Sequence, residues 1–272
     1  MESAEVISPK YPLVFVVGIA HSGSTLLGKL LDMHSQVLCV GELLRIRDAI
    51  EKAYPCSCGK KLEDCDFWHR HIEWIKNEVG LQYKHFTQGL YAKLCALSGK
   101  NVAVDLSKTR VLRMMDGFFV NRMNRFNNAG FILLLRDPKG ISASAMRRTD
   151  KSLDRFLNRY LKWMNRFQKL VDSDGDRVLI LKYEDLCNTP DQEIKRLCQF
   201  IGITFEPRMM APSEKEHHFV HSSTSNYMKN LNTLAVDNRW QHELRKEDIA
   251  KIDVIINKVK LLRQAYAGRQ LF

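Results

Sequence analysis

The chain has 272 residues, 45% hydrophobic and 27% charged, which suits a soluble globular protein and allows one α/β domain with a full core. Its 42 Lys and Arg against 31 Asp and Glu give a net charge of +11, so an anionic partner is expected: nucleic acid, an acidic membrane surface or a polyanionic small molecule. The seven cysteines form an odd, scattered set, which argues against a disulfide framework and for reduced thiols.

Residues 1–10 lack periodicity and read as a loose end. The run 13-LVFVVG-18 is β-branched and aromatic throughout, as expected for a strand buried on both faces of a parallel sheet. Its extension to 13-LVFVVGIA-20 is too short to span a bilayer, and Glu2 and Glu5 stand where a signal peptide would be positive. An intracellular, cytoplasmic protein with no membrane span is expected.

The segment 18-GIAHSGSTLLGKLL-31 keeps the glycines of a phosphate loop, Gly18 and Gly23, followed by Ser24 and Thr25, but lacks the lysine that reaches the outer phosphates of a nucleoside triphosphate. Its glycines permit a tight turn, the helix that follows aims amides and a positive dipole end at a ligand, and Ser22, Ser24 and Thr25 add hydroxyls. Such a loop suits one 5′ phosphate with a small further group. The ordinary alternative is a turn and cap with no ligand.

Further buried strands are predicted at 102-VAVD-105, 131-FILLLR-136 and 178-VLILKY-183, and helices at 110–124, 139–148, 153–172, 189–201 and 245–266. The alternation predicts one domain over 1–272, a three-layer α/β/α fold with a mainly parallel central sheet. A helical and loop insertion is expected at 43–100 and a lid-like irregular stretch at 203–240. Ligands of such sheets lie at the carboxyl ends of strands, which gathers the Gly18 loop, Asp105, Arg136 and Tyr183 on one rim. Arg136 ends an apolar run and can grip a phosphate bidentately. Glu42 follows the apolar run 37-VLCVG-41 at a predicted rim position and is a candidate base, with His34 a weaker one. Asp105 alternatively resembles a magnesium-binding aspartate.

Taken together, HSGST (21–25) after a strand and LLLRDPKGISAS (133–144) resemble the 5′-phosphosulfate loop and the 3′-phosphate motif of the sulfotransferase family. The segment 182-KYEDL-186 is similar to that family's next element, and 39-CVGELLRI-46, 56-CSCGKKLEDCDFW-68, 105-DLSKTR-110, 221-HSSTSNYMK-229 and 238-NRW-240 resemble bacterial-type members that act on small molecules or glycans. The resemblance implies the P-loop NTPase-like sulfotransferase fold and the donor 3′-phosphoadenosine 5′-phosphosulfate (PAPS), with adenosine 3′,5′-bisphosphate (PAP) as product and no metal required. It implies donor contacts from His21, Ser22, Gly23, Ser24, Thr25, Arg136, Ser144, Tyr183, Asn226, Tyr227, Met228 and Lys229. Glu42 would be the base, and Lys108 would stabilise the sulfuryl oxygens. The acceptor would be a hydroxyl or amine of a small molecule or glycan. Two positions depart from the family: His21 stands where Arg or Lys is usual, and 225–229 reads Ser-Asn-Tyr-Met-Lys for Gly-Asn-Pro-Met-Arg. The readings weighed against this one are a small-molecule kinase with a degenerate loop and a non-catalytic basic module that binds polyanions.

Two smaller features remain. Cys56, Cys58 and Cys65 with His69 or His71 are off the paired spacing of zinc sites and read as free or locally paired thiols. The basic helix at 153–172 reads as an amphipathic helix packed on the sheet, and no nucleic-acid motif is present.

Overall fold

A computed structural model describes residues 8–115, 126–148, 152–221 and 234–266. Asn226, Tyr227, Met228 and Lys229, the second half of the helix expected over 110–124, and the first seven residues lie outside the described residues.

Five parallel strands form one sheet in the order β2-β3-β1-β4-β5: β1 Leu13–Gly18, β2 Val37–Gly41, β3 Val102–Asp105, β4 Ala129–Leu135 and β5 Val178–Lys182. The expected α/β/α architecture is therefore present. All residues of β1 are buried, as its unbroken apolar run requires. β1 is paired on both sides, Phe15 to Asp105 in β3 and Phe15 to Phe131 in β4. The chain leaves β1 toward β2 and later returns on the other flank as β4, which places the crevice of the sheet at the carboxyl ends of β1 and β4.

The apolar run 37–41, expected only as a rim segment, is the edge strand β2. The last helix, expected over 245–266, is two helices, Lys246–Lys258 and Lys260–Tyr266. Val259 takes an extended conformation between them. The helix Leu153–Asp174 buries Leu157, Tyr160, Trp163, Met164 and Phe167 and turns its Arg and Lys outward, the ordinary amphipathic arrangement. Among the described residues no helix is long and apolar enough to cross a membrane.

Two apolar layers enclose the sheet. One gathers the helix Ser24–Asp32, the helix Pro190–Ile201 and Phe219. The other is continuous with the insertion, through Trp68, Ile75, Phe86 and Tyr91. Burial of a side chain such as Trp68 stabilises the fold by about 1.5–3 kcal/mol, so the insertion is part of the core and not an appendage. Within the irregular stretch, Met209, Phe219 and Val220 are fully buried, and Val220 bridges to Gly41 beside β2.

Asp105, the aspartate that a kinase would turn toward magnesium, points into this core. It is fully buried and accepts hydrogen bonds from the Tyr91 hydroxyl at 2.6 Å and the Ser107 amide at 2.7 Å. Burial pushes its carboxyl up to about 6 against the pull of those bonds. Tyr91→Phe leaves one buried carboxylate oxygen without its donor. A loss of about 1–3 kcal/mol in urea unfolding at pH 7 is expected, and an unchanged midpoint would show that this bond does not support the fold.

Candidate functional site

The loop between β1 and the helix Ser24–Asp32 is shaped by two left-handed residues, His21 (φ 73°) and Gly23 (φ 96°). Gly23 is required there, because a side-chain carbon at this position would lie 2.5 Å from the Tyr183 ring. Ser22 is fully buried, and its hydroxyl has no hydrogen-bond partner among the described residues. A buried hydroxyl without a partner in a loop that opens a helix is what an anion site provides before its anion arrives.

Arg136 follows the last residue of β4 and reaches across to this loop. Its Nη1 donates to the His21 carbonyl at 2.9 Å, and its guanidinium stacks 4.5 Å from the centre of the Tyr183 ring. The two ends of the expected nucleotide site therefore face one crevice. Arg136 also packs against Gly140 in the helix Pro138–Met146, whose first turn Asp137 caps by accepting from the Lys139 amide at 2.8 Å. Ser144 lies four residues past Gly140 on the same helix face and is buried. Beyond Arg136 opens a cavity of about 580 Å³ lined in part by Asn188, Leu234, Val236 and Trp240.

Asp237 had no place in the sequence reading. Its carboxylate lies 3.2 Å from Arg136 Nη2 and 3.8 Å from Arg147, and it accepts from Arg239 at 2.7 Å. The hydrogen bond from Arg239 and the nearby Arg136 hold it well below the usual carboxylate range. An internal anion thus occupies the face of Arg136 on which a phosphate is expected. The sequence marked 238-NRW-240 but gave no sign that the preceding aspartate would fold back on a strand end 101 residues away.

A second cluster joins the loop from the side of β2 and β3. Glu42 follows β2, and Lys108 lies three residues past β3 in a left-handed conformation (φ 54°). Lys108 Nζ is 2.5 Å from Glu42 Oε1 and donates to Ser24 Oγ at 3.3 Å, so one ammonium links the candidate base to the loop. Burial pushes the Glu42 carboxyl up, but the Lys108 ammonium and the neighbouring His221 overcome this and bring it to about 2. Of the four described non-glycine residues with positive φ, three are His21, Lys108 and His221, so strained backbone is concentrated at this candidate site.

His221 was not foreseen as a neighbour of Glu42. Its Nδ1 is 3.8 Å from Glu42 Oε1 and 3.0 Å from Arg45 Nη1. It arrives through the bridge at Val220, whose carbonyl accepts from the Glu42 amide at 2.8 Å. His34, the weaker base candidate, is committed elsewhere. Its Nε2 is 2.7 Å from the Thr204 carbonyl, its Nδ1 accepts from the Gln36 amide, and only 2% of it is exposed. His21 is pressed down to about 4, by burial first and then by Arg148, Lys108, Arg136 and Arg147, so it is neutral near pH 7.

The sulfotransferase family model matches residues 12–207. A putative protein-tyrosine sulfotransferase of Caenorhabditis briggsae is 21% identical over 89% of this chain and 85% of its own length. Protein-tyrosine sulfotransferase 2 of Gallus gallus is 24% identical over 76% of this chain, which spans only 55% of that relative. Among solved structures, the sulfotransferase domain of the Synechococcus PCC 7002 olefin synthase has a TM-score of 0.61 at 17% identity, covering 98% of each chain. A mouse sulfotransferase solved as a complex with PAP has a TM-score of 0.52 at 12% identity, covering 94% of this chain and 88% of its own. These structural likenesses concern the fold. With the whole sheet, the glycine loop and Arg136 inside the matched region, the chain belongs to the sulfotransferase family.

Proposed function

We propose that the protein transfers a sulfuryl group from PAPS to an acceptor hydroxyl, with no metal ion in the reaction. The observation that carries this reading is the 2.9 Å contact of Arg136 with the His21 carbonyl, which brings a guanidinium beside the glycine loop and supports a rim that holds anions at both places. A nucleotide with a phosphate on each side of its ribose matches two adjacent anion sites. The family match and the PAP complex of the mouse protein support that donor.

In this reading Ser22, Gly23, Ser24 and Thr25, with His21, receive the 5′ phosphosulfate, and Arg136 and Ser144 receive the 3′ phosphate. Tyr183 borders the adenosine side. Asn226, Tyr227, Met228 and Lys229 complete the donor contacts that the family resemblance implies. The acceptor oxygen attacks sulfur, the sulfur–oxygen bond to the 5′ phosphate breaks, and PAP leaves with the bonding electrons. Glu42 takes the acceptor proton. A carboxylate held at about 2 is a weak base, and the geometry offers a remedy. Lys108 already touches both Glu42 and the loop hydroxyl of Ser24, so a sulfuryl group beside Ser24 draws the ammonium toward its own oxygens. Glu42 then loses its main cationic partner and returns toward the ordinary glutamate range near ~4.3.

A kinase reading loses support because both oxygens of Asp105 are bonded inside the core. For the acceptor, the names of the nematode and chicken relatives favour testing a protein tyrosine hydroxyl first, beside the small-molecule and glycan hydroxyls suggested by the motifs.

Calorimetry supplies the first test. PAP is expected to bind without magnesium and in preference to ATP. Arg136→Ala should weaken PAP by about tenfold or more, a loss of about 1.4 kcal/mol. Asp237→Asn should strengthen it about three- to tenfold by removing the resident anion. Unchanged PAP affinity in both variants would refute the two-ended site. Glu42→Gln should lower kcat by about 10²–10⁴ while PAP affinity stays within about twofold, and unchanged turnover would remove Glu42 from the base role. His21 gains a phosphate neighbour on binding, which raises its pKa above the unliganded value of about 4, so binding takes up protons at low pH. The affinity advantage of wild type over His21→Asn should therefore grow as pH falls from about 8 to about 5, and a constant ratio would show that His21 does not protonate against the donor.

A further inference from the structure

Outside the donor crevice, the insertion and the irregular stretch meet at a cluster of sulfur and nitrogen atoms. Cys65 Sγ lies 3.6 Å from Cys56 Sγ, 3.8 Å from Cys58 Sγ and 3.3 Å from His218 Nδ1. All four ligand atoms fall within 4.8 Å of one another. Around a tetrahedral zinc ion, with Zn–S about 2.3 Å and Zn–N about 2.0–2.1 Å, sulfur–sulfur edges are about 3.8 Å and sulfur–nitrogen edges about 3.5 Å. The three edges that meet at Cys65 are close to those lengths, and the other three are no longer than 4.8 Å. A disulfide needs about 2.05 Å between two sulfurs and would use only two of the three thiols.

We propose that Cys56, Cys58, Cys65 and His218 form a structural zinc site that ties the insertion to the segment carrying His221. This inference is independent of the donor and acceptor assigned above. The ligand set fills all four positions, three thiolates and one neutral imidazole, and leaves none for substrate, as in structural rather than catalytic sites. Binding expels the three thiol protons, so metal content and folding are linked to pH.

The backbone around each ligand is already held. The Gly59 amide donates to the Cys56 carbonyl at 2.9 Å and the Cys56 amide to the Lys60 carbonyl at 2.8 Å, a tight turn that Gly59 permits with φ 91°. Cys65 is followed by a helical turn in which its carbonyl accepts from the His69 amide at 2.9 Å. On the other side, Trp68 Nε1 donates to the His218 carbonyl at 2.7 Å. His218 presents Nδ1 to the sulfurs and Nε2 to Glu216 at 3.5 Å, the outer carboxylate that a ligating histidine usually has. Cys56 and Cys65 are fully buried, whereas Cys58 and His218 are partly exposed and give the ion a way in.

Neither histidine close to the cysteines in sequence takes part. His69 Nδ1 is bonded to the Cys65 carbonyl at 2.9 Å, and His71 Nδ1 accepts from Trp74 Nε1 at 3.5 Å. The fourth ligand comes from 153 residues further on, which is why the spacing looked wrong for zinc. Its segment continues to Val220, paired to Gly41, and to His221 beside Glu42. A metal at this cluster would therefore fix the strap that approaches the candidate base.

The test is metal content of the full chain, expressed with zinc available, purified under reducing conditions and dialysed. About one zinc per chain is expected by elemental analysis. X-ray absorption should show three sulfurs at about 2.3 Å and one nitrogen at about 2.0 Å. Cys58→Ser and His218→Ala, both at partly exposed positions, should fall below about 0.2 zinc per chain, whereas His69→Ala should keep full occupancy. Chelation should lower the melting temperature of wild type and leave the Cys58→Ser variant unmoved. A wild-type chain that holds less than about 0.2 zinc, a Cys56–Cys65 disulfide in the purified protein, or full zinc retention in both Cys58→Ser and His218→Ala would overturn the proposal.

Discussion

The bond from Arg136 to the carbonyl of His21 is the constraint on which the crevice depends. A left-handed His21 turns its carbonyl toward the guanidinium, so strain in the loop is offset by a charge-assisted hydrogen bond. The guanidinium in turn lies on Tyr183, and Tyr183 fills the space that only a glycine at position 23 leaves open. The ends of β1, β4 and β5 are thereby locked into one arrangement. The backbone of this crevice is set in advance, and what remains to change on binding an anion is the exchange of side-chain ion pairs.

Charge is distributed unevenly around that arrangement. Near the loop, burial first and then the crowding of Arg148, Lys108, Arg136 and Arg147 keep His21 neutral, and two carboxylates, Glu42 and Asp237, temper the excess charge. Each carboxylate pairs with a cation that the proposed donor would need. The unliganded protein therefore stores its positive charge in ion pairs that can be exchanged for ligand contacts, and the cations avoid facing one another unpaired.

The glycine loop and Arg136 were legible because their information is local. A strand, a glycine loop and a helix follow within twenty residues or so, and Arg136 announces itself as a charge closing an apolar run. The same locality misled at β2, where five apolar residues carry too little periodicity to be separated from a rim loop. It also misled at Asp105, whose place at a strand end suggested a metal while its side chain turned inward to Tyr91. What could not be read were partners brought together by the long return of the chain: Asp237 on Arg136, His221 on Glu42 and His218 on three cysteines. These come from a stretch without helical or strand period, so nothing in the pattern of residues indicates which side each one faces.

Residues 217–221 contain three histidines with three separate attachments. His217 Nδ1 meets Asp32 at 2.7 Å, at the end of the first helix; His218 meets Cys65; His221 meets Glu42. Because the attachments are so closely spaced, deletion or insertion of a single residue between them would disengage at least one. Length variation among descendants of this chain should then be confined to either side of this pentapeptide, so that acceptor preference can drift through the flanking loops while the spacing within it stays constant.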